Sequence, residues 1–247
     1  MTSTSIPLRF TFNKRSIGNK SGKSNQPTPE MRGFAALRYN QILMRILITA
    51  GPTREPIDPV RYIGNRSSGK MGAALAEAAK SAGHTVTMVL GPVSIAMPDV
   101  PAVRVETAAQ MQEAVLREFA RHNLLIMAAA VADYRPISVA SRKMDRAGKL
   151  IIECEPTPDI VALAGASKAP SQRIVGFSLE MEGDLERARQ KLGRKKLDLM
   201  VYNPVATMDS AQVQAVLLWP DGRNETLPAM EKGEFATLLI DRCAKLF

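Results

Sequence analysis

The sequence predicts an α/β fold, a Rossmann-like, doubly wound and mostly parallel sheet with a C-terminal β-hairpin extension. Three observations carry the prediction. Short runs that are apolar throughout, such as residues 46–49, 85–90 and 124–127, recur along the chain, and strands buried on both faces belong to sheets covered above and below. Stretches with helical apolar spacing separate these runs, as a parallel crossover requires. Near the end, Asp221-Gly222 lies between the apolar runs 213–219 and 225–227, a strong hairpin signal.

The net charge of +9 is unevenly placed. Before Met44 stand Arg9, Lys14, Arg15, Lys20, Lys23, Arg32 and Arg38 against the single acid Glu30, so six of the nine net charges precede the folded part. The excess belongs to a tail and not to a face that binds nucleic acid. Residues 1–43, rich in Ser, Thr, Asn, Pro and Gly, read as a disordered basic tail, an organelle-targeting segment, or sequence upstream of a true start at Met31 or Met44. Without an amphipathic helix in them, tail or misassigned start is favoured. Residues 44–247 then form a single α/β domain. Two cysteines, Cys154 and Cys243, suit reduced thiols in the cytoplasm. Two histidines support neither a Cys/His metal site nor a Ser-His-Asp triad. Any metal is expected to be a hard one bound mainly through phosphate oxygens, and no apolar run reaches the length of a membrane span.

In chain order, strand 46–49 empties into a long polar loop, 51–69, that closes into the Ala-rich helix 71–82. A helix N-terminus reached through backbone-donor turns suits an anion. Gly64 to Met71 reads G-N-R-S-S-G-K-M, a P-loop except that Met71 replaces the Mg²⁺-binding Ser or Thr. The dinucleotide fingerprint is missing, because Pro52-Thr53 follows Gly51. The loop is thus a nonstandard anion site or a plain connection, and its length favours the site. Strand 85–90, a short strand near 103–105, helix 108–121 and strand 124–127 follow. Asp133, at a strand end, is a site residue or a helix cap. Residues 138–148 are a basic flap that closes over phosphates, or a solvated loop. Then come strand 150–154, helix 160–166 capped by Thr157 or Asp159, strand 173–177, helix 185–193, strand 197–201 and a final helix, 232–245. Lys191 and Lys195 share a helix face, either around an anion or at a solvated helix end.

Six segments together carry a resemblance: ITAGPTREPIDPVRYIGNRSSGKMG, AAAVADYRP, the Lys-bearing flap, PTPDIV, IVGF and ARQKLGRKKLDLMVYNP. The chain resembles the phosphopantothenoylcysteine synthetases (phosphopantothenate–cysteine ligases) of coenzyme A biosynthesis over residues 44–247. The resemblance implies joining of 4'-phosphopantothenate to L-cysteine through an acyl-cytidylate, with CTP as co-substrate in most bacterial members and ATP in eukaryotic ones. It also implies Mg²⁺ held mainly by phosphates, a homodimer in which the hairpin region could supply part of the contact, and a stand-alone synthetase whose phosphopantothenoylcysteine decarboxylase is separate.

Carried over by motif, Asn65 and Lys143 are the catalytic residues. Arg61, Asn65, Ser67, Ser68, Gly69 and Lys70 bind substrate, the Ser-Ser-Gly-Lys turn meeting phosphates. Ala128, Ala129, Asp133, Lys143, Pro158, Asp159, Ile160, Val161, Phe177, Lys191 and Lys195 bind the nucleotide. The chain departs from the family pattern at Arg66 (commonly His), Thr157 (commonly Asn), Ser178-Leu179 (commonly Ala-Ala) and in the flap, which keeps Lys143 but lacks the downstream Lys run. These departures bear on nucleotide choice and the flap's phosphate contacts. The alternative reading is a Rossmann-type NAD(P)-binding oxidoreductase.

Overall fold

The computed structural model describes residues 42–146, 148–180, 185–204 and 212–247, within a compact unit that runs from Gln41 to Phe247. The tail expected over residues 1–43 thus falls almost wholly outside the described residues. The central sheet has eight strands: β1 (Arg45–Ala50), β4 (Thr85–Leu90), β5 (Ala102–Arg104), β6 (Leu124–Met127), β9 (Arg173–Glu180), β10 (Leu199–Pro204), β11 (Gln212–Leu218) and β12 (Asn224–Glu231). Their order is β12-β11-β10-β9-β6-β1-β4-β5. Neighbours from β5 through β10 are parallel, and the last two pairings are antiparallel. This is the doubly wound sheet with a hairpin extension. The chain winds outward from β1 through β4 to β5, then returns to the other side of β1 with β6. The switch point therefore lies where β1 and β6 end, the usual place for a ligand in such sheets.

Alternation along β1 explains the two layers. Ile46, Ile48 and Ala50 enter one core with Leu75 of α1 (Lys70–Ser81) and Phe235 and Leu239 of α5 (Lys232–Ala244). Leu47 enters the other, with Met111 of α2 (Ala108–Phe119), Ile160 of α3 (Ile160–Ser167) and Ala188 of α4 (Leu185–Arg194). A capping box, Thr107 with Gln110, starts α2. α1 instead starts at Gly69, whose φ of 77° suits glycine.

Three expectations are corrected. The loop over 51–69 is not structureless, because β2 (Arg54–Pro56) and β3 (Tyr62–Gly64) pair within it as an antiparallel ribbon. The strand expected over 150–154 does not join the sheet. Pairing is confined to β8 (Cys154–Pro156) against β7 (Tyr134–Pro136), and Ile151 stays 73 % exposed. Single backbone bonds extend the ribbon by one residue at either end, Ile137 N to Glu153 O at 3.0 Å and Thr157 N to Asp133 O at 2.9 Å. The strand expected over 197–201 begins later, at Leu199, since Lys196 turns the chain out of α4 with φ 52° and Leu197 N still bonds Leu192 O at 3.0 Å.

Helix α1 reaches β1 through Gly72, where a Cβ would stand 2.3 Å from the Ala50 Cβ. Gly72→Ala is therefore expected to lower stability by ~1–3 kcal/mol, because helix and strand must part. Urea unfolding checks this; an unchanged midpoint would show that the contact has room to spare.

Candidate active site

Beyond the ends of β1 and β6 the two chains stay side by side. Ala130 N donates to Gly51 O (2.9 Å) and Thr53 N to Ala130 O (3.2 Å). Two wholly buried threonines complete the seam: Thr49 Oγ1 accepts from Ala129 N at 3.1 Å and Thr53 Oγ1 from Ala132 N at 2.9 Å. On the far side, Thr157 N donates to Asp133 O at 2.9 Å, and the Thr157 hydroxyl donates to Ala132 O. The backbone of residues 129–133 is thus held from both flanks.

That backbone floors a cleft of about 810 Å³. Asn65 and Arg66 form one wall, Pro158, Asp159, Ile160 and Val161 another, and Phe177, Lys191 and Lys195 also line it. Asn65 Nδ2 donates to Val131 O at 2.8 Å, so the carboxamide oxygen is the end left to meet a ligand. Asp159 caps α3, its side chain accepting from Ala162 N at 3.1 Å; its second oxygen pairs with Lys195 Nζ at 3.0 Å. Of the two capping candidates, Asp159 is the cap, while Thr157 clamps the floor.

A second hollow, of about 310 Å³, adjoins the first and shares Arg66 and Phe177 with it. Ser67, Ser68, Gly69, Lys70 and Ala128 line it, with Asn203 and Lys232 opposite. The serines accept only long bonds from the first backbone donors of α1, Gly69 N at 3.4 Å and Lys70 N at 3.5 Å, which suits an anion displacing them. Asn203 was not among the residues picked from sequence. Its buried Oδ1 has no hydrogen-bond partner, a costly state unless a ligand or water fills it. The signal available was a polar residue ahead of Pro204, just past the apolar run of β10.

The candidate residues accordingly fall into two adjoining groups, with Ala128 on the phosphate-turn side and Ala129 and Asp133 in the larger cleft. Arg61 and Lys143 line neither hollow. Arg61 is engaged by Asp58, and its Nη2 donates to Met144 O at 2.8 Å; Lys143 is exposed on the flap. The Arg61 guanidinium holds the buried Asp58 carboxyl well below the usual carboxylate range. Among the described residues no group of three or more His, Cys, Asp or Glu is arranged to hold a metal, and no helix is long and apolar enough to cross a membrane.

Residues 43–246 match the family model for the DNA/pantothenate metabolism flavoprotein C-terminal domain. A Cysteine/Cysteine sulfinic acid decarboxylase from an unknown prokaryotic organism is 46 % identical over 162 residues, 64 % of this chain and 45 % of that protein. The Coenzyme A biosynthesis bifunctional protein CoaBC of Vibrio vulnificus is 42 % identical over 209 residues, 81 % of this chain and 52 % of that protein. The chain thus spans about half the length of the curated relatives it matches. The crystal structure of the C-terminal domain of a CoaBC protein superposes with a TM-score of 0.73 at 38 % identity, covering 84 % of this chain and 98 % of that one. These likenesses do not support the oxidoreductase alternative.

Thr53→Val would leave the buried Ala132 N–H without its acceptor, and a loss of ~1–3 kcal/mol is expected. Thr53→Ser, which keeps the hydroxyl, should cost less. Equal urea midpoints for the wild type and the valine variant would contradict this seam.

Proposed function

The chain belongs to the DNA/pantothenate metabolism flavoprotein C-terminal domain family, and on that footing we propose that it is a phosphopantothenate–cysteine ligase acting through an acyl-cytidylate. The observation that carries the reading is the meeting of Asn65, the clamped 129–133 backbone, Lys191 and Lys195 in one cleft at the switch point. The Coenzyme A biosynthesis name of the relative and the fit of its C-terminal domain support it.

A carboxylate is a poor electrophile at neutral pH. In the first step the pantothenate carboxylate oxygen attacks the α-phosphorus of CTP and pyrophosphate leaves. In the second the cysteine amine attacks the acyl carbon, CMP leaves, and the amine's proton passes to solvent. Neither step needs a covalent bond to a side chain, so positioning and charge neutralisation do the work. Ala129, Asp133, Pro158, Asp159, Ile160, Val161 and Phe177 form the nucleoside pocket in this reading, with Lys191 and Lys195 facing the nucleotide. The Lys195–Asp159 pair keeps the lysine in place until phosphate competes for it. Ser67, Ser68, Gly69 and Lys70 offer helix-start donors to phosphate, Asn65 orients the acyl-nucleotide, and Arg61 and Lys143 act from the ribbon and the flap. Mg²⁺ suits the site through phosphate oxygens, since Asp159 is already committed to a helix cap and Lys195; bound there, it would offset phosphate charge. CTP is proposed over ATP because the relative with the assigned biosynthetic name is bacterial.

We also propose a homodimer. β2 packs beside β7, and Val60, Tyr62, Tyr134, Ile137, Val139 and Ile151 on and beside these ribbons are more than half exposed. Apolar exposure of this kind marks an interaction surface, and among the described residues several of the most exposed apolar side chains gather at these ribbons. Sedimentation velocity should give a dimer at micromolar concentration, weakened by Ile151→Lys; a wild-type monomer would contradict this.

With Mg²⁺ and CTP, pyrophosphate release is expected only when phosphopantothenate is added, and release without it would count against the ligase. Asn65→Asp should still form acyl-cytidylate while cysteine transfer slows roughly 100-fold, as when one polar contact to a reacting centre is lost. Transfer at the normal rate would remove Asn65 from its role.

A further inference from the structure

The flap leaves β7 and returns to β8, strands that pair over only three residues each. So short a ribbon cannot hold the intervening loop in one place. The loop is instead tied to the turn between β2 and β3. Ala140 N donates to Ile57 O at 3.0 Å. Met144 N donates to Asp58 Oδ2 at 3.2 Å, and Met144 O accepts from Arg61 Nη2 at 2.8 Å. Arg61 also grips Asp58 Oδ2, through Nε at 2.8 Å and through Nη2. The other carboxylate oxygen serves the turn itself, accepting from Val60 N at 2.8 Å and Arg61 N at 2.9 Å.

The Asp58 side chain is entirely removed from solvent, whereas that of Arg61 is 40 % exposed. Burying a carboxylate is costly unless its charge is paired and its lone pairs are filled. Both conditions are met here, and part of the filling comes from a residue 86 positions away. The two oxygens have separate tasks: Oδ1 shapes the turn and Oδ2 holds the flap. Met144 is the immediate neighbour of Lys143.

We propose that Asp58 is a positioning residue that latches the flap, fixing Lys143 through Arg61 and the Met144 backbone against the ribbon leading to Asn65. The importance of Lys143 to catalysis rests on the ligase reading; the latch itself does not. The Arg61 guanidinium keeps Asp58 ionised far below neutral pH, so the latch stays charged at any working pH.

Limited trypsin digestion followed by mass spectrometry tests this. The flap offers Arg142, Lys143, Arg146 and Lys149 as cleavage points, and the exposed Arg223 between β11 and β12 supplies an internal reference. In Asp58→Asn the carboxamide oxygen can still accept from Val60 N and Arg61 N, but the amide cannot accept from Met144 N or pair with Arg61. Flap cleavage relative to cleavage at Arg223 should rise about tenfold or more, since cleavage follows the open population. Arg61→Gln should act in the same direction, and it carries the test if the first variant folds poorly. Ligase assays of the same proteins should show a raised KM for CTP and a lower kcat. An unchanged cleavage ratio in both variants would overturn the latch, as would equal acceleration at Arg223. A freed flap with unaltered kcat and KM would overturn the positioning role. Faster flap cleavage in a protein whose wild type releases no pyrophosphate would support the latch and overturn the ligase reading.

Discussion

Four buried side-chain oxygens accept from backbone N–H groups of segments more than fifty positions away along the chain. Thr49 serves Ala129, Thr53 serves Ala132, Glu55 serves Ala108 at the start of α2, and Asp58 serves Met144. All four come from one stretch of ten residues running out of β1, and all are no more than 3 % exposed. A buried donor without a partner costs ~1–3 kcal/mol, so each bond sets where its partner segment can lie. The switch-point loops, the first turn of α2 and the flap are thereby referred to a single ten-residue stretch of chain, from the end of β1 through β2 to the turn after it. The candidate site depends on this common anchor more than on any one residue lining it.

The consequence for chemistry is a floor prepared before a ligand arrives. Residues 129–133 are bonded to the 49–53 segment on one side and to Thr157 on the other. A site that need not rearrange loses less of its binding energy to ordering, and fixed dipoles stabilise developing charge without reorganising. Under the proposed ligase reaction, the adjoining hollows would divide the demands of its two steps. One has an apolar wall, Asn65 and paired lysine charge; the other has a helix start and the unpartnered Asn203 oxygen. Arg66 and Phe177, shared by both, mark where the two halves of a substrate pair would meet.

The sheet was legible because apolar runs and crossover lengths are local signals. The core strands 46–49, 85–90 and 124–127 emerge within a residue or two of β1, β4 and β6. The Asp-Gly hairpin, the Asp159 cap and the Lys191/Lys195 pairing on one face were legible for the same reason. The ribbons were not. The β2–β3 pair contains Arg, Glu, Pro and Gly and has no apolar alternation, and long-range bonds from Thr53, Glu55 and Asp58 hold it instead. Leu150 and Ile151 look like strand residues, yet the three-residue ribbon leaves them exposed. The motif resemblance singles out Arg61 and Lys143 without indicating that they lie together on a latch outside both hollows. Asn203 escaped notice because a lone asparagine before proline reads equally well as a turn.

The most direct test is a crystal structure with a non-hydrolysable CTP analogue and 4'-phosphopantothenate bound together. The nucleoside should lie in the cleft between Asn65 and Lys195, with the pantothenate carboxylate next to the α-phosphate on the 129–133 floor. Both molecules bound elsewhere, with that cleft empty, would contradict the assignment of the switch point as the reaction site.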